Sequence, residues 1–285
     1  MDEALTRATM IRSLIETAQR DPRIVGLADY GSSSEGRNDE WSDIDLAVFL
    51  RDDDYEPFAH EWKVWAAQFG PLLLAFISGV GHPWTVYDAA PVPLRVDFGF
   101  HRESAIEEML TWPNAPVSVE AMVWYDATAD RLTACARQLV GQSLAPADLS
   151  ATYERIGGDY WYYVLRTLGK IARQEEWAAR YEFNVIIMGL LHALLRLEAG
   201  AVERWRASES ASGIEHVLTP RRLMQLNACI PGPGLKSVHQ ALIKAVELGS
   251  EVCIALGTTY GWPWPAALAD RTLLVLTSMG PADHR

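Results

Sequence analysis

Two aspartates separated by a single residue, Asp43 and Asp45, stand at the start of an apolar run that ends at Leu50. On a β-strand this spacing places both side chains on one face, about 6.6 Å apart along the chain. Neighbouring carboxylates raise each other's pKa, and a divalent cation removes the repulsion between them. Paired carboxylates suit Mg²⁺, which takes oxygen ligands and is usually shared with substrate phosphates. The pair is therefore compatible with metal-assisted chemistry on a phosphate compound.

A turn of small residues precedes this pair. Gly31, Ser32 and Ser33 form the turn, and ten mostly polar or small residues separate Ser32 from Asp43. Glycine lets the backbone approach a phosphate closely, and the serines add hydroxyl and amide donors. Two aspartates at this spacing alone are common and indicate no more than a solvent-facing strand start. The Gly-Ser turn at this distance favours a phosphate site instead.

The stretch from Tyr30 to Leu50 resembles the signature of the polymerase-β-like nucleotidyltransferases, which is Gly-Ser, about ten residues, then Asp-h-Asp/Glu-h with h apolar. Among them it is most similar to the small antibiotic nucleotidyltransferases that modify lincosamides and aminoglycosides; the segment 121–126 supports this. The resemblance implies a third acid on a later strand, and Asp97 between Val96 and Phe98 matches it.

The resemblance also implies roles for these residues. Asp43, Asp45 and Asp97 are expected to be catalytic and to bind two Mg²⁺ ions. Gly31, Ser32 and Ser33 are expected to hold the phosphates of the nucleotide donor, which in this family is commonly ATP. Whether Asp97 is the general base or only a metal ligand stays open.

Lys170 has two interpretations. It lies near the C-terminal end of a predicted helix, where the helix dipole favours a cation on the surface. The resemblance implies instead that the helical domain supplies a cation to the triphosphate. Arg173 and Arg37 are weaker candidates for the same role.

The net charge of −12 is unevenly placed along the 285 residues. Residues 1–150 hold 24 of the 37 acids but only 11 of the 25 lysines and arginines. An acidic half argues against binding long nucleic acid, which requires a basic surface. It favours a small cationic acceptor, although solubility alone also explains such a charge. The cluster Asp52–Asp54 has two interpretations as well, the cap of a helix or part of an entrance for a cationic substrate.

The remaining composition predicts a cytoplasmic protein. Three widely spaced cysteines, Cys135, Cys229 and Cys253, show no C-x-x-C pair, so neither a disulfide framework nor a zinc site is expected. The first residues are acidic and lack the apolar core of a signal peptide. The longest apolar run, from Val185 to Leu195, is too short to span a membrane.

The pattern of elements predicts an α+β protein with two domains. Short strands and helices alternate over residues 1–143, which predicts a mixed-sheet domain and, by the resemblance, the nucleotidyltransferase catalytic domain. Residues 144–285 are helical throughout and predict an all-helical bundle. Their apolar faces fit packing within the domain or a homodimer equally well.

Three functions are compatible with these features. The first is transfer of a nucleoside monophosphate from Mg-ATP to a hydroxyl of a small molecule, an aminoglycoside or lincosamide. The second is an adenylyltransferase that modifies a protein partner, of the toxin–antitoxin type. The third is a nucleotide-binding module that has lost catalysis, which the presence of all three carboxylates disfavours.

Overall fold

The computed structural model describes residues 4–203, 205 and 210–279, which form two compact units divided between Ser143 and Leu144. The first unit is built on a mixed sheet of six strands. The strands are β1 (Ile24–Asp29), β2 (Ile44–Leu50), β3 (Leu72–Ile77), β4 (Pro83–Tyr87), β5 (Leu94–Arg102) and β6 (Val123–Asp126). They lie in the order β3-β4-β5-β2-β1-β6, in which β2 and β5 are parallel and the other neighbours are antiparallel.

Helices cover both faces of this sheet because the central strands are apolar on both sides. The helices are α1 (Arg7–Arg20), α2 (Tyr55–Ala67), α3 (Val119–Met122) and α4 (Arg131–Leu139), with 3₁₀ turns at Asp52–Asp54 and Glu103–Thr111. Leu46 and Val48 of β2 pack in a cluster with side chains of α1 and α2. Ala47 and Phe49 of the same strand pack with α4 and the Glu103–Thr111 turn, as the alternation of side chains along a strand requires.

The structure bears on two local predictions. The apolar segment Ala121 to Tyr125 predicts a strand by its sequence, but it is helical up to Met122, because the Ser118 hydroxyl accepts a hydrogen bond from the Ala121 N–H at 3.1 Å and caps α3. In the acidic cluster, Asp52 accepts hydrogen bonds from the backbone and hydroxyl of Ser104. Asp54 at the start of α2 makes no side-chain capping bond, whereas the Ser104 N–H bonded by Asp52 belongs to the first turn of the 3₁₀ segment Glu103–Thr111. The role of the cluster toward a cationic substrate stays a prediction.

The second unit is helical. It contains α5 (Leu149–Ala172), α6 (Glu176–Tyr181), a π-helical turn (Glu182–Ile187), α7 (Met188–Glu198), a 3₁₀ turn (Ile214–His216), α8 (Pro220–Asn227), α9 (Leu235–Tyr260) and α10 (Ala266–Ser278). Gly249 lets α9 approach α5 closely, because a Cβ there would lie 2.6 Å from the Tyr160 ring. The predicted fold class, a mixed sheet followed by a helical region, is confirmed.

Within the described residues, one helical stretch, Glu176–Glu198, is long and apolar enough by composition to cross a membrane. It runs through α6, the π-helical turn and α7. Its residues Phe183, Leu191 and Leu194 are fully buried in the core of the second unit. Core helices of soluble proteins meet the same criterion, so the stretch is weak evidence for a membrane span.

Candidate active site

The parallel pairing of β2 with β5 brings two of the predicted acids side by side. Asp45 on β2 lies directly opposite Asp97 on β5 in the strand register. Asp43 stands just before the first residue of β2, Ile44. The three predicted carboxylates therefore come from the same end of two adjacent central strands.

The electrostatics of these side chains show that they interact. Burial, together with the charges of Asp43 and Asp97, raises the pKa of Asp45 to about 7. Burial and the charge of Asp43, opposed by Arg95, raise the pKa of Asp97 to about 6. Mutual repulsion of this kind is the condition that a bound cation relieves.

Gly31 is in contact with Asp45. A Cβ atom at Gly31 would lie 1.8 Å from Oδ2 of Asp45 and 2.6 Å from its Cγ. Only glycine leaves room for the carboxylate at this position. The Gly-Ser turn and the Asp-x-Asp pair, ten residues apart in sequence, are therefore packed directly against each other.

A buried polar network holds this turn in place. Oδ1 of Asp29, the last residue of β1, accepts hydrogen bonds from the N–H groups of Gly31 (3.0 Å) and Ser34 (2.9 Å). Nδ2 of Asn114 donates to the carbonyl of Tyr30 and to the hydroxyl of Ser34, each at 3.0 Å. Burial raises the pKa of Asp29, although the two backbone hydrogen bonds oppose the shift. Asp29 and Asn114 thus fix the conformation of residues 30–34.

The serines of the turn have different surroundings. Oγ of Ser32 is buried and has no hydrogen-bond partner among the described residues. Oγ of Ser33 accepts a hydrogen bond from Nη2 of Arg7. A buried hydroxyl without a partner is costly unless something else bonds to it, so Ser32 fits a phosphate-binding role.

Three arginines contact the segment that joins the turn to β2. Arg95 lies 2.7 Å from Oδ2 of Asp43, and Arg37 lies 2.6 Å from Oε2 of Glu35. Arg7 donates from Nε to the backbone carbonyl of Asp43 at 3.3 Å. Positive charge therefore borders the acidic site on several sides.

The residues present fit a divalent cation by their donor chemistry. Carboxylate oxygens are the ligands that Mg²⁺ takes, and the pKa values of Asp45 and Asp97 are raised by burial and, in addition, by the neighbouring carboxylates. As the side chains stand, no group of three or more His, Cys, Asp or Glu residues in the described ranges is arranged to hold a metal ion. Asp43 is instead paired with Arg95. The assignment of Asp43, Asp45 and Asp97 as metal ligands stays a prediction.

Lys170 lies in the second unit, in the last turn of α5. Its Nζ is 3.3 Å from Oε2 of Glu182, a buried residue of the π-helical turn. Arg166 pairs with the same oxygen at 3.3 Å, and the Thr167 hydroxyl donates to Oε1. Neither interpretation of Lys170 is decided by these contacts, and its role toward a triphosphate stays a prediction.

Sequence reasoning missed Asp29, Asn114, Arg7 and Arg95. The sequence does contain a signal for Asp29, because it is the one charged residue of the run from Ile24 to Asp29 and lies two positions before Gly31. Asn114 is 80 residues from Ser34, its hydrogen-bond partner, so no local pattern connects them. Arg7 lies at the site because α1 packs against the sheet. The spacing of residues in the sequence does not show that packing.

Comparison with known proteins agrees with this geometry. Residues 11–78 match the family model described as "Nucleotidyltransferase domain". No curated protein sequence matches the chain.

The solved structures that match the chain include the following two. An aminoglycoside 6-adenyltransferase from Bacillus subtilis has 11% identity and a TM-score of 0.45, over 96% of this chain and 98% of that one. A nucleotidyltransferase-like protein from Exiguobacterium sibiricum has 14% identity and a TM-score of 0.35, over 94% of this chain and 88% of that one.

The matched segment 11–78 contains the Gly31–Ser32 turn and the Asp43–Asp45 pair, which the structure packs together. The signature, the family match and the carboxylates on adjacent strands agree. Residues 11–78 are therefore similar to a nucleotidyltransferase domain, and the structure brings the signature residues of that segment together.

Proposed function

We propose that this protein is a nucleotidyltransferase, which moves a nucleoside monophosphate from Mg-ATP to a hydroxyl group of a small molecule and releases pyrophosphate. The observation that carries the proposal is the register pairing of Asp45 with Asp97, with Asp43 beside them and Gly31 packed against Asp45. Nucleotidyltransferases generally use a nucleoside triphosphate and a divalent metal. This arrangement of acids beside a glycine-serine turn suits both.

In the proposed reaction the acceptor oxygen attacks the α-phosphorus while the bond from that phosphorus to the pyrophosphate oxygen breaks. Asp43, Asp45 and Asp97 would hold two Mg²⁺ ions. When bound, these ions neutralise phosphate charge and lower the pKa of the attacking hydroxyl. Gly31, Ser32 and Ser33 hold the β- and γ-phosphates. Most of the rate then comes from placement and charge neutralisation.

Asp97 is the proposed general base for the acceptor hydroxyl. Its carboxylate lies beside Asp45 in the strand register, on the side of the site where the acceptor hydroxyl would be held. Its pKa of about 6 describes the metal-free protein, and a bound cation would lower it. The alternative is that Asp97 serves only as a metal ligand. Lys170 is also proposed as a cation that binds the triphosphate of the donor.

The proposed acceptor is an aminoglycoside or lincosamide antibiotic, in a cytoplasmic enzyme that binds neither nucleic acid nor membrane. The resemblance of the signature supports this class. The excess of acids in residues 1–150 also supports a cationic acceptor, because a negative surface raises its local concentration.

A panel of aminoglycosides and lincosamides, each incubated with Mg-ATP and the protein, tests this proposal. Mass spectrometry of the acceptors is expected to show one that gains the mass of a nucleoside monophosphate with the wild type. The matched variant Asp45→Asn is expected to give no such product, since it keeps the shape of the side chain but removes its charge.

The alternatives give different products. A protein-modifying adenylyltransferase would leave every small acceptor unchanged and would label a protein in a cell extract. A silent nucleotide-binding module would bind Mg-ATP and label neither. If the whole panel stays unmodified, the antibiotic proposal is refuted.

A further inference from the structure

Arg7 lies at the first position of α1, and the helix start holds its backbone in place. The hydroxyl of Thr6 accepts a hydrogen bond from the Thr9 N–H at 3.2 Å, and the Thr6 N–H donates to Oγ1 of Thr9 at 2.9 Å. Met10 and Leu14, one and two turns later, are fully buried against the sheet. The side chain of Arg7 thus extends from a rigid base.

The guanidinium of Arg7 bridges the two parts of the candidate site. Nη2 donates to Oγ of Ser33 in the turn, and Nε donates to the carbonyl of Asp43 at the start of β2. Arg7, Asp43 and Arg95 also line one small cavity with the segment 90–94. Arg7 is therefore positioned beside the turn predicted to hold the donor phosphates.

Arg7 differs from the other two arginines of the site in its partners. Arg37 pairs with Glu35 and Arg95 with Asp43, so each guanidinium has a carboxylate at salt-bridge distance. In the described structure both hydrogen-bond acceptors of Arg7 are neutral, a hydroxyl and a backbone carbonyl. The carboxylates of Asp29, Asp43, Asp45 and Asp39 act on Arg7 only through longer-range attraction.

The stability of α1 does not explain a cation at this place. The N-terminal end of a helix is its positive end, where a positive side chain is unfavourable and an acidic one is favoured. The first turn of α1 has no acidic residue to offset Arg7. A half-buried arginine that costs its helix stability and has no ion-pair partner among residues 4–203, 205 and 210–279 is suited to bind an anion.

We propose that Arg7 binds the terminal phosphates of the nucleotide donor, so that the first unit of the chain supplies its own triphosphate-binding cation. Its hydrogen bond to Ser33 holds the guanidinium against the turn that receives those phosphates. Arginine suits this task because its planar group donates two parallel hydrogen bonds to phosphate oxygens. This inference rests on the proposed function, since it requires a triphosphate donor.

The test is a calorimetric comparison of Mg-ATP, AMP and inorganic tripolyphosphate with Mg²⁺, the last being independent of the donor base. Arg7→Met is expected to weaken the binding of ATP and tripolyphosphate by roughly 10- to 150-fold, as expected for loss of a charged hydrogen bond. The affinity for AMP is expected to change by less than about twofold, because AMP lacks the terminal phosphates.

Arg12→Met is the matched control. Arg12 is an exposed residue of the same helix, so this change removes the same charge from α1 without touching the site. Arg7→Lys keeps the charge but not the parallel donors, and is expected to lower the ratio of ATP to AMP affinity severalfold. Thermal unfolding of each variant shows which of them are folded.

The outcomes separate the two proposals. If the wild type binds Mg-ATP and Mg-tripolyphosphate no more tightly than AMP, the proposed function fails and the role of Arg7 with it. If the wild type prefers the triphosphate and every folded Arg7 variant keeps the same preference, only the inference about Arg7 is overturned. An equal loss of affinity for ATP, tripolyphosphate and AMP would also overturn the inference. It would show that Arg7 only stabilises the conformation of the turn.

Discussion

The contact between Gly31 and Asp45 leads to a prediction for the variant Gly31→Ala. The new Cβ would lie 1.8 Å from Oδ2, 2.6 Å from Cγ and 2.7 Å from Cβ of Asp45. Ordinary contacts between such atoms are about 3.5 Å or longer, so the carboxylate must move by more than about 1 Å. The atoms that clash belong to a short side chain close to its own backbone, so a rotation of the carboxylate alone does not relieve the overlap.

The effect on activity is expected to be much larger than the effect on folding. A displacement of about 1 Å at a reacting centre can cost about 100-fold in rate, so kcat/KM for nucleotidyl transfer is expected to fall at least about 100-fold. Overpacking at one site costs about 1–3 kcal/mol of unfolding free energy, which leaves most domains folded. The assay is pyrophosphate release with Mg-ATP and the acceptor, beside urea denaturation of both proteins.

Gly79→Ala is the matched control. Gly79 is exposed in the turn between β3 and β4, and a Cβ there meets no atom within 4 Å. Its effect on stability is expected to stay within about 0.5 kcal/mol, with no change in activity. If Gly31→Ala kept wild-type activity and stability, the close packing of the turn against Asp45 and its role in catalysis would both be refuted.

Two further predictions concern buried carboxylates. The pKa of Asp45 is about 7 in the fold against 3.8 for its ordinary value, so the protonated carboxyl stabilises the metal-free protein below about pH 4 and this stability is lost as the pH rises through 7. Asp45→Asn does not titrate at this position. Its melting temperature in EDTA, minus that of the wild type, is therefore expected to increase between pH 5 and pH 8. A decrease of this quantity over the same range would contradict the assignment. Asp29→Leu leaves the N–H groups of Gly31 and Ser34 without their acceptor and is expected to lower the unfolding free energy by about 2–5 kcal/mol in urea denaturation, whereas Asp29→Asn keeps an oxygen acceptor and is expected to lose clearly less. Equal losses in the two Asp29 variants would refute the role of the Asp29 oxygen as the acceptor for these two N–H groups.

The features that sequence could predict are those set by local spacing. The Gly31–Ser32 turn, the Asp43–Asp45 pair and the strand around Asp97 each occupy a few consecutive residues with a clear apolar alternation. The packing of Asp45 beside Asp97 follows from the parallel pairing of β2 and β5, whereas the family signature implies only a third acid on a later strand. The helical character of the second unit follows equally from periodicity.

The features that sequence could not predict depend on contacts between distant residues. Asn114 reaches Ser34 across 80 positions, and Arg7 reaches Asp43 across 36. The π-helical turn Glu182–Ile187 lies inside a run that reads as one continuous helix. Arg166 and Lys170 form ion pairs with the buried Glu182 of this turn because α5 packs beside it. No pattern in the sequence encodes that pairing.

The central claim is that Asp43, Asp45 and Asp97 bind the cation that a donor triphosphate requires. The most direct test is the Mg²⁺ dependence of acceptor-stimulated pyrophosphate release in the wild type beside Asp45→Asn. The account predicts saturable activation of the wild type by Mg²⁺, no release in EDTA, and a loss of at least about 1,000-fold in Asp45→Asn at every Mg²⁺ concentration, the scale of removing a group that acts in the transition state. Release by Asp45→Asn at a rate close to that of the wild type would contradict it.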